Sequence, residues 1–202
     1  MRKKGFTLAE VLITLAIIGV VAALTIPMVI NRTNEKELRV ALKKAYSTLN
    51  QVSIQVLSED PDFYKKLGSE LTNEDFQSTF EQYLSVIKSC DNSTIAGNCF
   101  VEEVKTLDGA GGFYVSDDGK VGSILKDGTA IAYDLANAGF LVDVNGLKPP
   151  NVMGKDVFSI IYDCNGNGIY DRLCPYGYWV APTEIECPSG NGFDCAAKYL
   201  NE

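Results

Sequence analysis

The sequence predicts an α+β fold, in which a long N-terminal helix packs against an antiparallel β-sheet head with a disulfide-stapled C-terminal region. Three features of the 202 residues predict it. The uncharged apolar run Val11–Ile30 continues into a helical stripe, residues after Gly112 alternate with a period of two, and all six cysteines lie from Cys90 onward. A chain of this length can build one head with a proper core, but not comfortably two.

The N-terminal apolar segment is long enough to cross a membrane. As a helix, Phe6–Ile30 would extend about 37 Å at about 1.5 Å per residue, which exceeds the hydrocarbon core of about 30 Å. The basic residues Arg2–Lys4 precede it, so the positive-inside rule keeps its start cytoplasmic and sends the following residues across the membrane. The alternatives are a cleaved secretory signal peptide, whose apolar region would be shorter, and a plain anchor.

One acidic residue, Glu10, lies near the start of this apolar segment. A carboxylate within hydrocarbon costs about 2.5–3.5 kcal/mol or more, so ionisable residues in such positions usually serve a function. Neither alternative for the segment explains this residue. Glu10 therefore requires a compensating group.

The residues Gly5-Phe6-Thr7-Leu8-Ala9-Glu10, behind a short basic leader and before an apolar helix, resemble the class III signal of type IV prepilins and pseudopilins. The resemblance covers residues 1–30. It implies that a prepilin peptidase cleaves after Gly5 and N-methylates Phe6, and that Pro27 is the helix-loosening proline of pilins. The implied organisation is a leader at 1–5, a transmembrane and assembly helix at 6–30, the extracytoplasmic half of that helix at 31–58 and a globular α+β head at 59–202.

The resemblance implies a structural, non-enzymatic subunit of a type IV pilus or a type II secretion pseudopilus. Such a subunit is a single-pass protein of the bacterial inner membrane with its head in the periplasm, and joins a filament after processing. The implied partners are other pilin or pseudopilin subunits, prepilin peptidase, the inner-membrane assembly platform and membrane lipid. In the filament, the new ammonium at Phe6 of one subunit would meet the Glu10 carboxylate of its neighbour.

Two other functions stay open. One is a calcium-dependent adhesion or DNA-uptake minor pilin at a filament tip, although the net charge of −8 gives no strong signal for nucleic acid. The other is a membrane-tethered extracytoplasmic enzyme. The chain contains no histidine, which excludes a Ser-His-Asp triad, a Cys-His dyad and every zinc site with a histidine ligand.

The head is expected to pack beneath the second half of the long helix. One apolar stripe recurs at spacings of three and four and favours packing within the chain over a short coiled coil: Leu38, Leu42, Ala45, Leu49, Val52 and Val56.

A second helix is predicted over Asn73–Lys88, with a capping box at its start and a buried face of Phe76, Phe80, Tyr83, Leu84 and Ile87. Strands are predicted at 113–115, 121–125, 130–134, 140–144 and 157–162, with hairpin turns at Asp118-Gly119 and Asp127-Gly128.

The even number of cysteines predicts disulfides in an oxidising compartment. Six cysteines allow 15 pairings, of which we favour nearest neighbours: Cys90 with Cys99, Cys164 with Cys174, and Cys187 with Cys195. A four-cysteine zinc site is the alternative, and the absence of a CxxC pair disfavours it.

Two oxygen-rich segments are candidates for structural calcium, and no cofactor is otherwise required. The first follows the spacing of an EF-hand loop without its final glutamate, and its candidate ligands are Asp163, Asn165, Asn167, the carbonyl of Ile169, and Asp171. The second resembles a segment that recurs in pseudopilin and minor-pilin heads, D-x-N-G…P-N…G-x-D-x-F, and its candidate ligands are Asp143, Asn145 and Asp156. In both segments, simple Asx turns are the alternative.

The C-terminal stretch Cys187–Leu200 resembles the disulfide-bonded end of many pilin-like subunits. It is either an exposed contact loop or a staple for an edge strand. The aromatic residues within 175–179 are either a contact surface or part of the core.

Overall fold

The computed structural model describes residues 7–67, 70–164, 172–177 and 187–201. The chain divides into two compact units, residues 1–37 and 38–202. The helices are α1 (Leu8–Glu59), α2 (Phe63–Lys66), α3 (Asn73–Glu81) and α4 (Cys195–Asn201). The strands are β1 (Val86–Cys90), β2 (Glu103–Lys105), β3 (Gly112–Tyr114), β4 (Val121–Leu125), β5 (Ala130–Asp134), β6 (Gly139–Asp143), β7 (Val157–Ile161) and β8 (Cys174–Pro175). The predicted α+β class is confirmed.

The first unit contains the apolar part of α1. Leu8–Pro27 is a 20-residue stretch with a mean hydropathy of 2.4, and its length and composition suffice to cross a membrane. None of it is buried. Pro27 lies inside α1, and the helix continues on both sides of it.

In the second unit, the C-terminal part of α1 contributes one apolar face to the head. Leu42, Leu49, Val52 and Val56 are buried, and Leu38 is partly buried against the same cluster. That cluster also contains Phe140 and other inward-facing residues of the sheet. The stripe therefore packs within its own chain, as the sequence predicts.

Within the described ranges, the main sheet has six antiparallel strands in the order β1-β4-β5-β6-β7-β8. Strands β4 to β7, four of the predicted strands, form an antiparallel meander, and Gly128 supports the turn from β4 to β5 with a φ of +90°. The turn at Asp118-Gly119 is not a hairpin turn, because β3 pairs with β2 in a separate two-stranded sheet while β4 pairs with β1. Of the five predicted strands, the one at 113–115 lies in the separate sheet, whereas β1 and β8 extend the main sheet beyond the other four.

The predicted second helix is wrong in its extent. Its capping box is present, with Thr72 and Asp75 bonded reciprocally, but the helix ends at Glu81. Val86–Cys90 then forms β1, where β-branched residues favour a strand. Ile87, expected on the buried face, is 62% exposed and lies where the register of β1 against β4 shifts, between Val86 and Lys88.

The three disulfides join nearest neighbours: Cys90–Cys99, Cys164–Cys174 and Cys187–Cys195. The last pair anchors α4, which the sequence analysis did not predict. Its Tyr199 packs against Phe158 of β7, with ring centroids 6.2 Å apart. The C-terminal segment is therefore a staple that packs on the sheet.

Of the aromatic stretch at 175–179, only residues 175–177 are described. Pro175 is buried, and Tyr176 is half-buried against Phe193.

Candidate functional site

The apolar N-terminal segment begins with a capping box. The Glu10 carboxylate accepts hydrogen bonds from the backbone N–H of Thr7 at 2.8 Å and from the Thr7 hydroxyl at 2.9 Å. The backbone N–H of Glu10 donates in turn to the Thr7 hydroxyl at 3.3 Å. These bonds satisfy donors that the first turn of α1 would otherwise leave unpaired. The carboxylate thus has a partner within its own chain.

The surface of this segment is almost wholly apolar. From Leu8 to Ile30, large aliphatic side chains are exposed on every side of the helix: Leu8, Val11, Leu12, Ile13, Leu15, Ile17, Ile18, Val20, Val21, Leu24, Ile26, Val29 and Ile30. Water-soluble proteins rarely expose apolar surface so continuously, because its hydration is unfavourable. The segment therefore requires lipid or other helices around it. The predicted cleavage and methylation site, Gly5 and Phe6, lies outside the described residues.

A second feature lies at one end of the main sheet, where two aspartates are buried together. Asp143 is the last residue of β6 and Asp156 immediately precedes β7, and both side chains have 0% exposure. The backbones touch there, because the N–H of Val144 donates to the carbonyl of Asp156 at 2.9 Å. The pairing of β6 with β7 brings the two acids to one place.

Each aspartate accepts hydrogen bonds from the backbone. The Asp156 oxygens accept from the N–H groups of Asn151 and Val152, both at 2.8 Å, and Oδ1 of Asp143 accepts from the N–H of Asn145 at 3.2 Å. These are Asx-type turns, as the sequence allowed. They hold both side chains in place and leave Oδ2 of Asp143 without a donor among the described residues.

The electrostatics of this pair are unfavourable. Burial, and after it the charge of Asp156, raises the pKa of Asp143 to about 8, although the N–H groups of Asn145 and Gly146 act in the opposite direction. Burial also raises the pKa of Asp156, against hydrogen bonds from the backbone and from the Asn145 side chain. Two carboxylates in one buried position therefore resist being charged together.

Three oxygens around the pair lack hydrogen-bond donors. They are Oδ2 of Asp143, Oδ1 of Asn145 and Oδ1 of Asn151, all buried, and no residue that the structure describes donates to them. Asn151 adopts a left-handed conformation with a φ of +55°. Asn151 is not among the predicted ligands, although it belongs to the P-N part of the same sequence motif. Carboxylate and amide oxygens are the ligands that calcium prefers.

The other calcium candidate falls mostly outside the described residues. Of its ligands only Asp163 is described, whereas Asn165, Asn167, Ile169 and Asp171 are not. The Cys164–Cys174 disulfide closes this loop. Over residues 7–67, 70–164, 172–177 and 187–201, no group of three or more histidine, cysteine, aspartate or glutamate side chains is arranged to hold a metal. The buried aspartate pair supplies only two carboxylates.

Comparison with known proteins finds a match at the N-terminus of the chain. The family model described as the prokaryotic N-terminal methylation motif matches residues 1–26. Neither the curated proteins nor the solved structures contain a match to this chain. The match covers Gly5, Phe6 and Glu10 and extends along the apolar part of α1. The chain carries at residues 1–26 the prepilin-type signal of the type IV pilin and pseudopilin family.

Proposed function

We propose that this protein is a structural subunit of a type IV pilus or a type II secretion pseudopilus, cleaved after Gly5 and polymerised through α1. The observation that carries the proposal is the combination of the methylation motif with an apolar helix, Leu8–Pro27, none of which is buried. A helix of this kind serves equally as a membrane anchor before assembly and as a filament core after it. Stored in lipid, it satisfies every backbone group internally.

The orientation follows from charge. The basic leader would stay on the cytoplasmic side, where the peptidase acts, with the head in the periplasm. Three disulfides in the head are in keeping with an oxidising compartment. Both arguments, from opposite ends of the chain, support the same orientation.

Glu10 gives the polymer its register. After cleavage, the Phe6 ammonium and the Glu10 carboxylate are both costly to leave unpaired in an apolar medium. Subunits offset along a filament axis would bring the carboxylate of one to the ammonium of the next. The internal hydrogen bonds from Thr7 hold the carboxylate at the helix start while leaving it acceptor capacity for that partner.

Mass analysis of the native full-length protein tests processing. We expect loss of residues 1–5, addition of one methyl group at Phe6, and loss of the hydrogens of all six cysteine thiols. An N-terminus located beyond Ile30 would identify the segment as an ordinary secretory signal peptide and overturn the proposal.

Filament fractionation tests polymerisation. Glu10→Val should be processed and inserted in the membrane like the wild type but should be missing from sheared filaments or pseudopili. Val11→Ala, a change in the same helical turn that leaves Glu10 in place, is the matched control and should be incorporated. Normal incorporation of Glu10→Val would contradict the proposed register.

A further inference from the structure

The two ends of the main sheet carry exposed charges of opposite sign. Residues 38–202 contain 13 lysine and arginine residues against 23 aspartate and glutamate residues, so most of the surface of the head is expected to be negative. Strand β4 connects the two ends, because it begins directly after Lys120 and ends directly before Lys126. Its five residues span about 17 Å at about 3.3 Å each.

The acidic end of the sheet is formed by four segments, 72–75, 91–94, 116–120 and 134–138. The Asn73 side chain joins three of them, since its Nδ2 donates to the carbonyl of Gly119 at 2.9 Å and its Oδ1 accepts from the N–H of Leu135 at 3.0 Å. The Asn92 side chain joins the fourth by donating to the carbonyl of Ser116 at 3.0 Å. Among the described side chains of these segments, the exposed charged ones are all acidic: Glu74, Asp75, Asp91 and Asp117.

The single lysine of the acidic end does not offset these acids at the surface. Lys120 is only 4% exposed, and its Nζ lies 3.7 Å from Oδ2 of Asp134, which is equally buried. The two buried charges offset each other. The surface of the acidic end is therefore negative.

The basic end of the sheet is formed by Lys44 of α1, by segment 126–129 between β4 and β5, and by segment 144–156 between β6 and β7. The two segments are in close contact, because a Cβ on Gly146 would lie 2.5 Å from the carbonyl oxygen of Gly128. Nζ of Lys44 lies 2.7 Å from Oδ2 of Asp127. The exposed basic side chains of this end are Lys44, Lys126, Lys148 and Lys155.

The acids of the basic end do not offset its lysines. The two segments contain two acids, and Asp156 has 0% exposure. The other, Asp127, is paired with Lys44. The charges of Lys126, Lys148 and Lys155 remain at the surface, so this end is positive although the head as a whole is acidic.

We propose that the heads of neighbouring copies stack end to end, with the basic end of one copy on the acidic end of the next. The inference rests on the proposed function, in which copies are offset along a filament axis. Every copy carries both surfaces, so the contact can repeat without limit, as a head-to-tail interface requires. Like ends would repel, and the charges therefore fix the direction of stacking. A polyanion is a less favourable partner, because the rest of the head would repel it.

Charge reversal followed by compensation in the full-length protein tests this stacking. Lys126→Glu with Lys148→Glu should reduce incorporation into sheared filaments at least about tenfold, because acidic ends would then meet. Glu74→Lys with Asp117→Lys should have the same effect, because basic ends would meet. All four substitutions in one chain reverse the signs of both ends and should restore incorporation, which a loss of folding could not do. Quantitative immunoblotting of filament fractions measures incorporation.

A matched control and a cross-linking experiment complete the test. Lys65→Glu with Lys88→Glu changes the net charge by the same amount at exposed positions outside both ends, and should be incorporated like the wild type. Carbodiimide treatment of wild-type filaments should join Lys126 or Lys148 to Glu74 or Asp117, as identified by mass spectrometry. Such a link must join two copies, because within one chain these residues lie at opposite ends of β4.

The contrary outcomes separate this inference from the proposed function. Normal incorporation of Lys126→Glu with Lys148→Glu would overturn the stacking and leave the wild-type filament, and with it the proposed function, intact. A loss that the four substitutions do not restore, or cross-links from the two lysines to another protein alone, would overturn it as well, since the basic end would then serve a different partner such as anionic lipid. Absence of the processed wild-type protein from every filament fraction would overturn the proposed function and the stacking together.

Discussion

Thr7 and Glu10 close a reciprocal pair of hydrogen bonds at the first turn of α1. The Glu10 carboxylate accepts from the Thr7 backbone at 2.8 Å, and the Glu10 N–H donates to the Thr7 hydroxyl at 3.3 Å. Glu10 therefore has two separable properties, a charge and a capping acceptor. In the proposed filament the charge would be required only by a neighbouring subunit, whereas the acceptor is used by the helix itself.

Substitutions can separate these two properties. Glu10→Gln keeps an acceptor for the capping box and removes the charge, so we expect normal processing but about 100-fold less incorporation into filaments, corresponding to about 3 kcal/mol for breaking a desolvated pair. Thr7→Val removes the capping hydroxyl and keeps the charge, and should reduce incorporation only slightly. Quantitative immunoblotting of filament fractions measures both. Equal incorporation of Glu10→Gln and wild type would show that the charge has no role in assembly.

The aromatic cluster under α3 should dominate the stability of the head. The ring of Phe76 lies with its centroid 4.9 Å from that of Phe140 and 5.1 Å from that of Phe80, and the residue is fully buried. Phe76→Ala should lower the free energy of unfolding by about 3–5 kcal/mol, because it removes these contacts and leaves a cavity. Denaturant unfolding measures it. Ile87→Ala, at a position 62% exposed, is the control and should change stability by less than about 0.5 kcal/mol.

The C-terminal disulfide should hold α4 against the sheet. Replacing both Cys187 and Cys195 with serine opens a loop of sequence separation 8. We expect a loss of about 2–3 kcal/mol, seen as a lower Tm, and faster proteolysis within 187–201 than elsewhere in the head. Unchanged proteolysis of that segment in the variant would mean that packing of Tyr199 alone holds it.

The ion pair between Lys44 and Asp127 should make a small, pH-dependent contribution. Their charged atoms are 2.7 Å apart. Burial acts to raise the pKa of Asp127, but the hydrogen bond from Lys44 and those from Thr129 outweigh it, so the pKa is lowered. A carboxyl whose pKa is lower in the folded state stabilises the protein above its unfolded pKa of about 3.9, and this stabilisation is lost as the pH falls through the folded pKa.

Thermal unfolding of Lys44→Met against wild type measures this contribution. Because Lys44 is 63% exposed and solvent screens the pair, the difference at pH 7 should be only about 0.5 kcal/mol. It should vanish at a pH low enough to protonate Asp127 in the folded protein. A difference that persists unchanged into that acidic range would assign the effect to lost packing of the lysine stem.

The sequence predicts well those elements whose apolar residues follow one regular spacing and pack on well-defined apolar clusters. The stripe from Leu38 to Val56 has a helical period and packs on a single cluster, and β4 to β7 alternate between two apolar clusters on opposite faces of the sheet. The boundary between α3 and β1 was missed because Leu84 and Ile87 continue the helical spacing of Phe76 and Phe80. Only pairing of Val86–Cys90 with β4, a contact remote in sequence, makes that segment a strand.

The candidate sites also differ in whether the local sequence is enough to identify them. Glu10 could be identified from local sequence, because its apolar surroundings are its immediate neighbours in the chain. The environment of Asp143 could not, since its burial and its repulsion by Asp156 depend on the register of β6 against β7. Helix α4 escaped prediction for a related reason: its short sequence Cys195–Asn201 is held by a disulfide and by the sheet beneath it, not by its own helical propensity.

The short spacing of the three cysteine pairs has a consequence for how the protein matures. The partners are separated by 9, 10 and 8 positions, and no pair encloses another. A chain delivered across a membrane from its N-terminal side presents each cysteine to the oxidising machinery shortly before its own partner, and each bond can form before the next pair emerges. Correct linkage is then the default outcome of vectorial export, and the head has little need of a disulfide isomerase.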